Sequence, residues 1–269
     1  MPVKNILKNN PFSDIIIIPS SILSVEPTLE LKTLTVSRIA RILGIFQADG
    51  VIIYCDERKN GNFKTFCSVL KYLLMPPYLK KYVKKSETLR KVGIAYPLNL
   101  AIHNVTTNLK LDPIRLGLVV ESSDRRVEVD IGLDKPIGIK TNSRYRLNSL
   151  ILVNVNEGRI INEEKYYTGF TIHCVNRIQD LHKIILNIKP DGIFGTSVKG
   201  TPLERCSKCW IAKKRAFVFG GPSKGIKSIY KGIEYDEVLN TLKDQGTTTI
   251  RTEEAICITL SKLVKVISN

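Results

Sequence analysis

The hydrophobic period of this chain changes twice, and that double change limits its folds more than any other feature. Up to about residue 92, and again from about residue 169, near-continuous apolar strands alternate with stretches of helical period. Strands are predicted at Ile15 to Ile18, Val51 to Cys55, Phe170 to Val175, Gly192 to Thr196 and Ala216 to Phe219. Helices are predicted over Thr28 to Phe46, Phe63 to Leu74 and Ile178 to Ile188. Apolar strands separated by helices predict a parallel sheet covered on both faces. From about Leu98 to Tyr167 the helical period disappears, and short runs take its place: Leu116 to Glu121, Val127 to Ile131, Ile137 to Lys140, Leu147 to Val155 and Arg159 to Ile161. Five such runs separated by turn residues predict a small antiparallel barrel of the OB type, which binds single-stranded nucleic acid. The expected organisation is an α/β domain over residues 1–92 and 169–269, interrupted by an OB-like β-barrel over 93–168.

Charge narrows the partners. Lys and Arg number 41 against 25 Asp and Glu, a formal net charge of +16 in 269 residues. Such a field attracts polyanions, and RNA, DNA or an anionic membrane surface would each satisfy it, as would a generally basic surface without a specific partner. No apolar run reaches the roughly 18 residues of a membrane span, and no secretory signal precedes the first strand, so a cytoplasmic or nuclear protein with no membrane partner is expected. Six scattered cysteines fit a reducing compartment. Cys206 and Cys209 have metal-ligand spacing, but a zinc site needs four ligands and no second pair accompanies them. They are expected to be plain thiols, and no metal is predicted.

Two stretches carry the site. The first, Ala216 to Ile226, reads as a buried strand that ends in Gly220 and Gly221, where a missing Cβ lets a ligand or another backbone approach. The second, Thr247 to Ile256, reads as a strand end at Thr248 to Ile250 feeding a helix. That helix has Thr252 at its N-cap, Glu253 and Glu254 in its first turn, and an apolar stripe of Ile256, Leu260, Leu263, Val264 and Ile267. Either stretch alone could be a tight turn or a complemented helix dipole; together, two strand-to-helix junctions predict a ligand crevice. The P-loop spacing fails, because Gly225 is followed by Ile226 with Lys227 and Ser228 one place late, and no G-x-G-x-x-G follows a strand.

The Val218 to Pro222 and Thr249 to Ile256 motifs, with Ser37 to Arg41 and Met75 to Lys81, resemble the archaeal and eukaryotic branch of the SPOUT methyltransferases, whose catalytic domain is interrupted by a small β-barrel. The resemblance spans nearly the whole chain. It implies a C-terminal trefoil knot, S-adenosylmethionine as methyl donor, RNA as substrate and a homodimer, and it points to N3 methylation of a ribosomal RNA uridine. The cofactor residues it implies are Gly195 and Thr196; Phe219, Gly220, Gly221, Pro222 and Gly225; and Thr249, Ile250, Thr252, Glu254 and Ala255. Arg251 is expected to stabilise charge on the base, Glu253 or Glu254 to accept a proton or orient that arginine, and Arg41 to face the partner's site.

RNA contacts are expected from Tyr78, Lys80 and Lys81, where cations interleave with tyrosines, and from Arg115, Arg125 and Arg126 at the ends of the barrel. A basic linker is the other reading of the first group. The sequence departs from the family at Val83 and Lys84, where relatives carry Phe-Pro, and at His103, which stands alone in place of a His-His pair. The alternative function is a non-catalytic RNA-binding or ribosome-assembly factor that uses the same barrel and basic surface.

Overall fold

A computed structural model describes residues 7–106, 108–110, 113–223, 225–226 and 233–265. It divides into two compact units: Asn10–Lys71, Ser86–Leu98 and Gly169–Asn269 form one, and Met1–Asn9, Tyr72–Lys85 and Asn99–Thr168 the other. The segment 72–85 therefore groups with the barrel strands and 86–98 with the α/β unit, unlike the single boundary at 92/93 drawn from hydrophobic period.

The chain opens with β1 (Ser13–Pro19), α1 (Leu29–Ile45), β2 (Gly50–Tyr54) and α2 (Gly61–Leu74). The barrel unit follows with β3 (Ile114–Ser122), β4 (Arg126–Asp130), β5 (Ile137–Lys140), β6 (Leu150–Asn154) and β7 (Arg159–Ile160). The α/β pattern resumes with β8 (Thr171–Val175), α3 (Gln179–Ile188), β9 (Gly192–Pro202), α4 (Ser207–Ile211), β10 (Lys214–Val218), β11 (Glu237–Asn240) and α5 (Thr252–Lys265). The barrel sheet is antiparallel in the order β5, β4, β3, β6, β7, and its edge strands β5 and β7 approach each other, so the sheet nearly closes.

The other sheet is six-stranded and parallel throughout, in the order β11, β9, β10, β1, β2, β8. Its central strand β1 owes that position to Ile15, Ile16, Ile17 and Ile18, all buried, because a strand covered on both faces must be apolar at consecutive positions. Thr28 starts α1 by accepting the amide of Leu31 at 3.3 Å. From β8 the chain crosses to β9, inserts β10 between β9 and β1, moves out to β11 and returns with α5 against α1.

One strand differs from expectation. Thr248 to Ile250 is not a strand; the strand that feeds the site is β11, too short and too mixed in polarity to show an apolar run. The Cys206 to Cys209 spacing proves to be helical: Cys206 caps α4 by accepting the amide of Cys209 at 3.3 Å. Burial, with the Glu237 carboxylate nearby, pushes the Cys206 thiol up to about 11, and burial pushes Cys209 up to about 12. Both are free thiols, whereas Cys67 of α2 and Cys174 of β8 form a disulfide. The predicted stripe position Ile267, and Lys227 and Ser228, lie outside the described residues.

Neither did the apolar pattern reveal the ion pair in the sheet. Arg215 of β10 donates through Nε to Asp14 Oδ1 at 2.7 Å and through Nη2 to Asp14 Oδ2 at 2.9 Å, with both side chains buried. Its Nη1 reaches the Cys209 carbonyl at 3.3 Å, and its guanidinium lies 4.1 Å from the Phe12 ring centroid. Removing one partner leaves a buried charge unmatched, so Asp14→Ala is expected to cost about 3–5 kcal/mol in chemical denaturation. A loss under about 1 kcal/mol would show that the pair is structurally dispensable.

Candidate active site

The ends of the central strands and the loops beyond them surround a cleft of about 380 Å³. That is at the small end of the roughly 300–1,000 Å³ typical of small-molecule sites. Ile22, Val25 and Glu26 come from the loop after β1; Thr196, Ser197 and Val198 from β9; and Phe219 to Pro222 from the loop after β10. Asn240, Thr241, Leu242 and Gln245 enter from the end of β11, and Thr249 to Glu253 with Ala255 complete the wall at the start of α5. Apolar surface from Phe219, Leu242, Ile22 and Ile250 alternates with hydroxyl and backbone groups, a lining suited to a nucleoside that needs one flat apolar slot and a few polar anchors.

Hydrogen bonds tie these loops to one another. Thr196 donates its hydroxyl to the Val218 carbonyl at 3.0 Å, and Thr252 donates to the Gly220 carbonyl at 3.1 Å. The α5 N-cap is Arg251 rather than Thr252: the Arg251 carbonyl accepts the Ala255 amide at 2.9 Å, and Glu254 accepts the Arg251 amide at 2.9 Å, the reciprocal half of a capping box. Thr252 is thereby free to fasten the glycine loop. A Cβ on Gly221 would lie 2.5 Å from Ser21 Oγ, and Ser21 is fixed in turn by Asp56, through its amide at 3.0 Å and its hydroxyl at 2.6 Å. The close approach at Gly221 is thus made by the loop after β1.

Arg251 projects from this junction half-exposed. Its Nη1 donates to Glu26 Oε1 at 2.8 Å and to Glu253 Oε1 at 3.4 Å, and Glu26 Oε1 also accepts the Thr35 hydroxyl at 3.2 Å. The Glu26 hydrogen bond and charge, followed by Glu253, raise the Arg251 pKa further above its ordinary value.

Most of the sequence-predicted cofactor residues therefore share one cleft: Thr196, the Phe219 to Pro222 loop, Thr249, Ile250, Thr252 and Ala255, with Arg251 and Glu253 beside them. Four predicted residues do not line it. Gly195 leaves room for packing, since a Cβ there would lie 2.5 Å from Ile226 Cδ1. Gly225 lies outside the lining, Glu254 is occupied as the helix cap, and Arg41 belongs to a second hollow. That hollow, about 420 Å³, is lined by Arg38, Arg41, Ile42, Ile45 and Tyr96 with Glu253, Glu254 and Cys257; Arg41 Nη1 donates to the Pro97 carbonyl at 2.9 Å. Glu253 borders both spaces. Sequence reasoning missed Glu26 and the Asn240 to Gln245 wall. An acidic residue a few positions beyond an apolar strand end was the available signal for Glu26.

In the barrel unit the predicted RNA residues separate into anchored and open groups. Tyr78 donates to the Leu116 carbonyl at 2.9 Å and packs its ring over Gly132, so its face is not free for a base. Lys80 Nζ lies 4.3 Å from the Tyr72 ring centroid, and burial lowers its pKa. Lys81 pairs with buried Asp130 at 2.7 Å, which also accepts Tyr82 Oη at 2.7 Å. Arg115 is a correction: at 1% exposure it bonds the Thr106 carbonyl inside the unit and presents no surface to RNA. Arg125 and Arg126 are exposed at the β3–β4 turn, with Arg126 Nε bonded to Glu128 at 2.7 Å. Bonds from the Thr141 amide to the Arg125 carbonyl at 3.1 Å, and from the Tyr145 amide to Ser122 Oγ at 2.9 Å, bring exposed Arg144 to the same end.

A parallel sheet with a cleft at its loop ends defines an α/β ligand-binding unit. The comparisons make that class specific. The family model described as "Putative RNA methyltransferase" matches residues 14–263, and the chain belongs to that family. An uncharacterized protein of Halobacterium salinarum is 24% identical over 92% of this chain and 97% of its own length. The 28S rRNA (uridine-N(3))-methyltransferase of Homo sapiens is 24% identical over 95% of this chain and 79% of its own. The crystal structure of the SpoU methyltransferase AviRb from Streptomyces viridochromogenes, in complex with AdoMet, superposes with TM-score 0.44 and 9% identity over 100% of this chain and 64% of that one, too loosely to transfer any feature.

His103, alone where the family resemblance implied a pair, is 4% exposed, and its Nε2 has no hydrogen-bond partner among the described residues. Burial first, then the Lys80 ammonium, push its pKa down from 6.5 to about 4. The unfolded chain then takes up a proton below 6.5 that the folded unit refuses, so stability is full above 6.5 and falls as pH drops towards 4. A loss of about 2 kcal/mol is expected between pH 7 and pH 5, and His103→Leu should remove most of that slope. Urea denaturation at the two pH values with equal slopes for both proteins would contradict it.

Proposed function

We propose that the protein transfers a methyl group from S-adenosylmethionine to N3 of a uridine in ribosomal RNA, with Arg251 as the residue that stabilises the reacting base. One observation carries this reading: Arg251 stands half-exposed at the mouth of a nucleoside-sized cleft, locked by a buried carboxylate, within the motif of a family of RNA methyltransferases. The name of the human relative supports uridine N3 and ribosomal RNA as the target. S-adenosylmethionine supplies a sulfonium-activated methyl when bound, so the chain has to align and stabilise rather than form covalent bonds. Phe219 to Pro222, Leu242 and Thr249 to Thr252 would hold it, since they give the cleft its apolar slot and its backbone groups.

Uridine N3 must lose a proton for its electron pair to attack, and negative charge then spreads onto the ring carbonyls. A rigid guanidinium stabilises that charge in a site from which water is excluded. Loss of such a donor costs about 10²–10³ in rate, and lysine keeps the charge without the planar fork. Arg251→Ala is therefore expected to lower the single-turnover rate about 10²–10³-fold, and Arg251→Lys to restore part of it. 3-Methyluridine formed on RNA from cells lacking the protein is the readout. Wild-type rates in Arg251→Ala with weaker S-adenosylmethionine binding would make Arg251 a cofactor residue, and a protein that binds S-adenosylmethionine and RNA without forming methylated nucleoside would favour the assembly-factor reading.

The strand path supports a trefoil knot: β10 is inserted between β9 and β1, the chain moves out to β11, and the α5 start is fastened back onto the Gly220 loop. The nearly closed five-stranded sheet supports an OB-like barrel. We also infer a homodimer through the α1 and α5 face, where Ile45 and Tyr96 are exposed in the hollow that holds Arg41 and Val264 is exposed farther along α5. A closed twofold interface gives one sharp mass. Light scattering is expected to return twice the chain mass, and Ile45→Glu to halve it; an active wild-type monomer at micromolar concentration would defeat the arrangement.

A further inference from the structure

We propose that Glu26 is the general base of the reaction, taking the N3 proton on its Oε2 oxygen while Arg251 stabilises the resulting base; the inference rests on the uridine N3 reading given above. Glu26 lies in the loop between β1 and α1, remote in sequence from the glycine and Arg251 motifs, and lines the cleft with its side chain 7% exposed. Its two oxygens are unequal. Oε1 accepts both Arg251 Nη1 at 2.8 Å and the buried Thr35 hydroxyl at 3.2 Å, whereas no described residue donates to Oε2. Oε2 is not among the buried unpartnered atoms, and Glu26 lines the cleft, so its second oxygen remains an acceptor available to a ligand N–H or O–H.

The other carboxylates at the junction are less free. Glu254 is bound to the Arg251 amide as the helix cap, and Glu253 lies in the first turn of α5, farther from Arg251 at 3.4 Å and bordering the second hollow as well. Glu26 and Arg251 thus form an acceptor and a cation side by side. The N3–H bond breaks with its proton going to Oε2. The N3 electron pair forms the bond to the methyl carbon, the carbon–sulfur bond breaks with its pair returning to a now neutral thioether, and the glutamic acid releases its proton to solvent. An imide proton is only weakly acidic, so without a base the reaction depends on the small fraction of uridine ionised in solution.

Glu26→Gln keeps an oxygen for Arg251 and Thr35 but cannot take the proton. Single-turnover formation of 3-methyluridine is measured from about pH 6 to 9.5 on RNA from cells lacking the protein, with S-adenosylmethionine binding followed by calorimetry and folding by thermal melting. The wild type is expected to be nearly flat over that range. Glu26→Gln should be slower by about 10²–10⁴-fold at neutral pH and regain roughly tenfold per pH unit, with S-adenosylmethionine affinity within a few fold of wild type. Glu26→Asp, with its carboxylate drawn back by one methylene, should be intermediate and keep the flat profile. A Glu26→Gln profile parallel to wild type, or a deficit accounted for by weaker S-adenosylmethionine binding, overturns the inference while leaving the uridine reading intact. A wild-type protein that binds S-adenosylmethionine yet makes no 3-methyluridine defeats both.

Discussion

The α/β unit is built around a buried charge pair whose partners must both be present. Asp14 and Arg215 are 201 positions apart, yet they stand at opposed positions of neighbouring strands, with Asp14 paired to Arg215 in the β1–β10 register. Desolvating two charges costs several kcal/mol, and only the bidentate geometry, with the added bond to Cys209, offsets that cost. A one-residue slip would separate the pair and strand both charges in the core. The pair therefore specifies register as much as it contributes stability, and register decides where β1 and β10 end.

Those two strand ends build the site. β1 delivers the Ser20 to Glu26 loop and β10 delivers Phe219 to Pro222, and the two loops touch where Ser21 fills the space that a side chain on Gly221 would need. Asp56, just beyond β2, fixes Ser21, and Thr252 fixes the Gly220 carbonyl from the other side. The cleft wall is a chain of neutral and charged hydrogen bonds linking three strand ends to one helix start. Its two carboxylates converge on one guanidinium, leaving Arg251 restrained but with about half of its side chain open to a ligand.

Hydrophobic period made the sheet, the barrel and most helix bounds legible, because burial on one or two faces forces a period on the residues. It failed at β11, where four residues are too few to set one, and at Thr248 to Ile250, where β-branched residues serve a loop. Motif spacing located the glycine and Arg251 loops. Glu26 was hidden because a lone acidic residue in a loop looks solvated until the fold buries it. Arg115 was misread for the complementary reason: a cation on a strand looks exposed, and only the barrel turns it inward.

The barrel unit shows why a basic run is not one kind of surface. Tyr78, Lys81 and Tyr82 are committed to the Leu116 carbonyl and to Asp130, so they fix the 77–82 turn to the barrel strands. Burial pushes the Asp130 pKa up, but bonds from Lys81, Tyr82 and the Gly132 amide outweigh it and hold the carboxyl below its usual range, charged at neutral pH. An anchored cation that already has a counter-charge gains little from a phosphate. Lys84 and Lys85, exposed just beyond the anchor, and Arg125 and Arg144 at the β3–β4 end have no such partner among the described residues. The uncompensated positive charge of this unit is therefore carried by residues flanking the motif, while the motif itself is tied to the barrel strands.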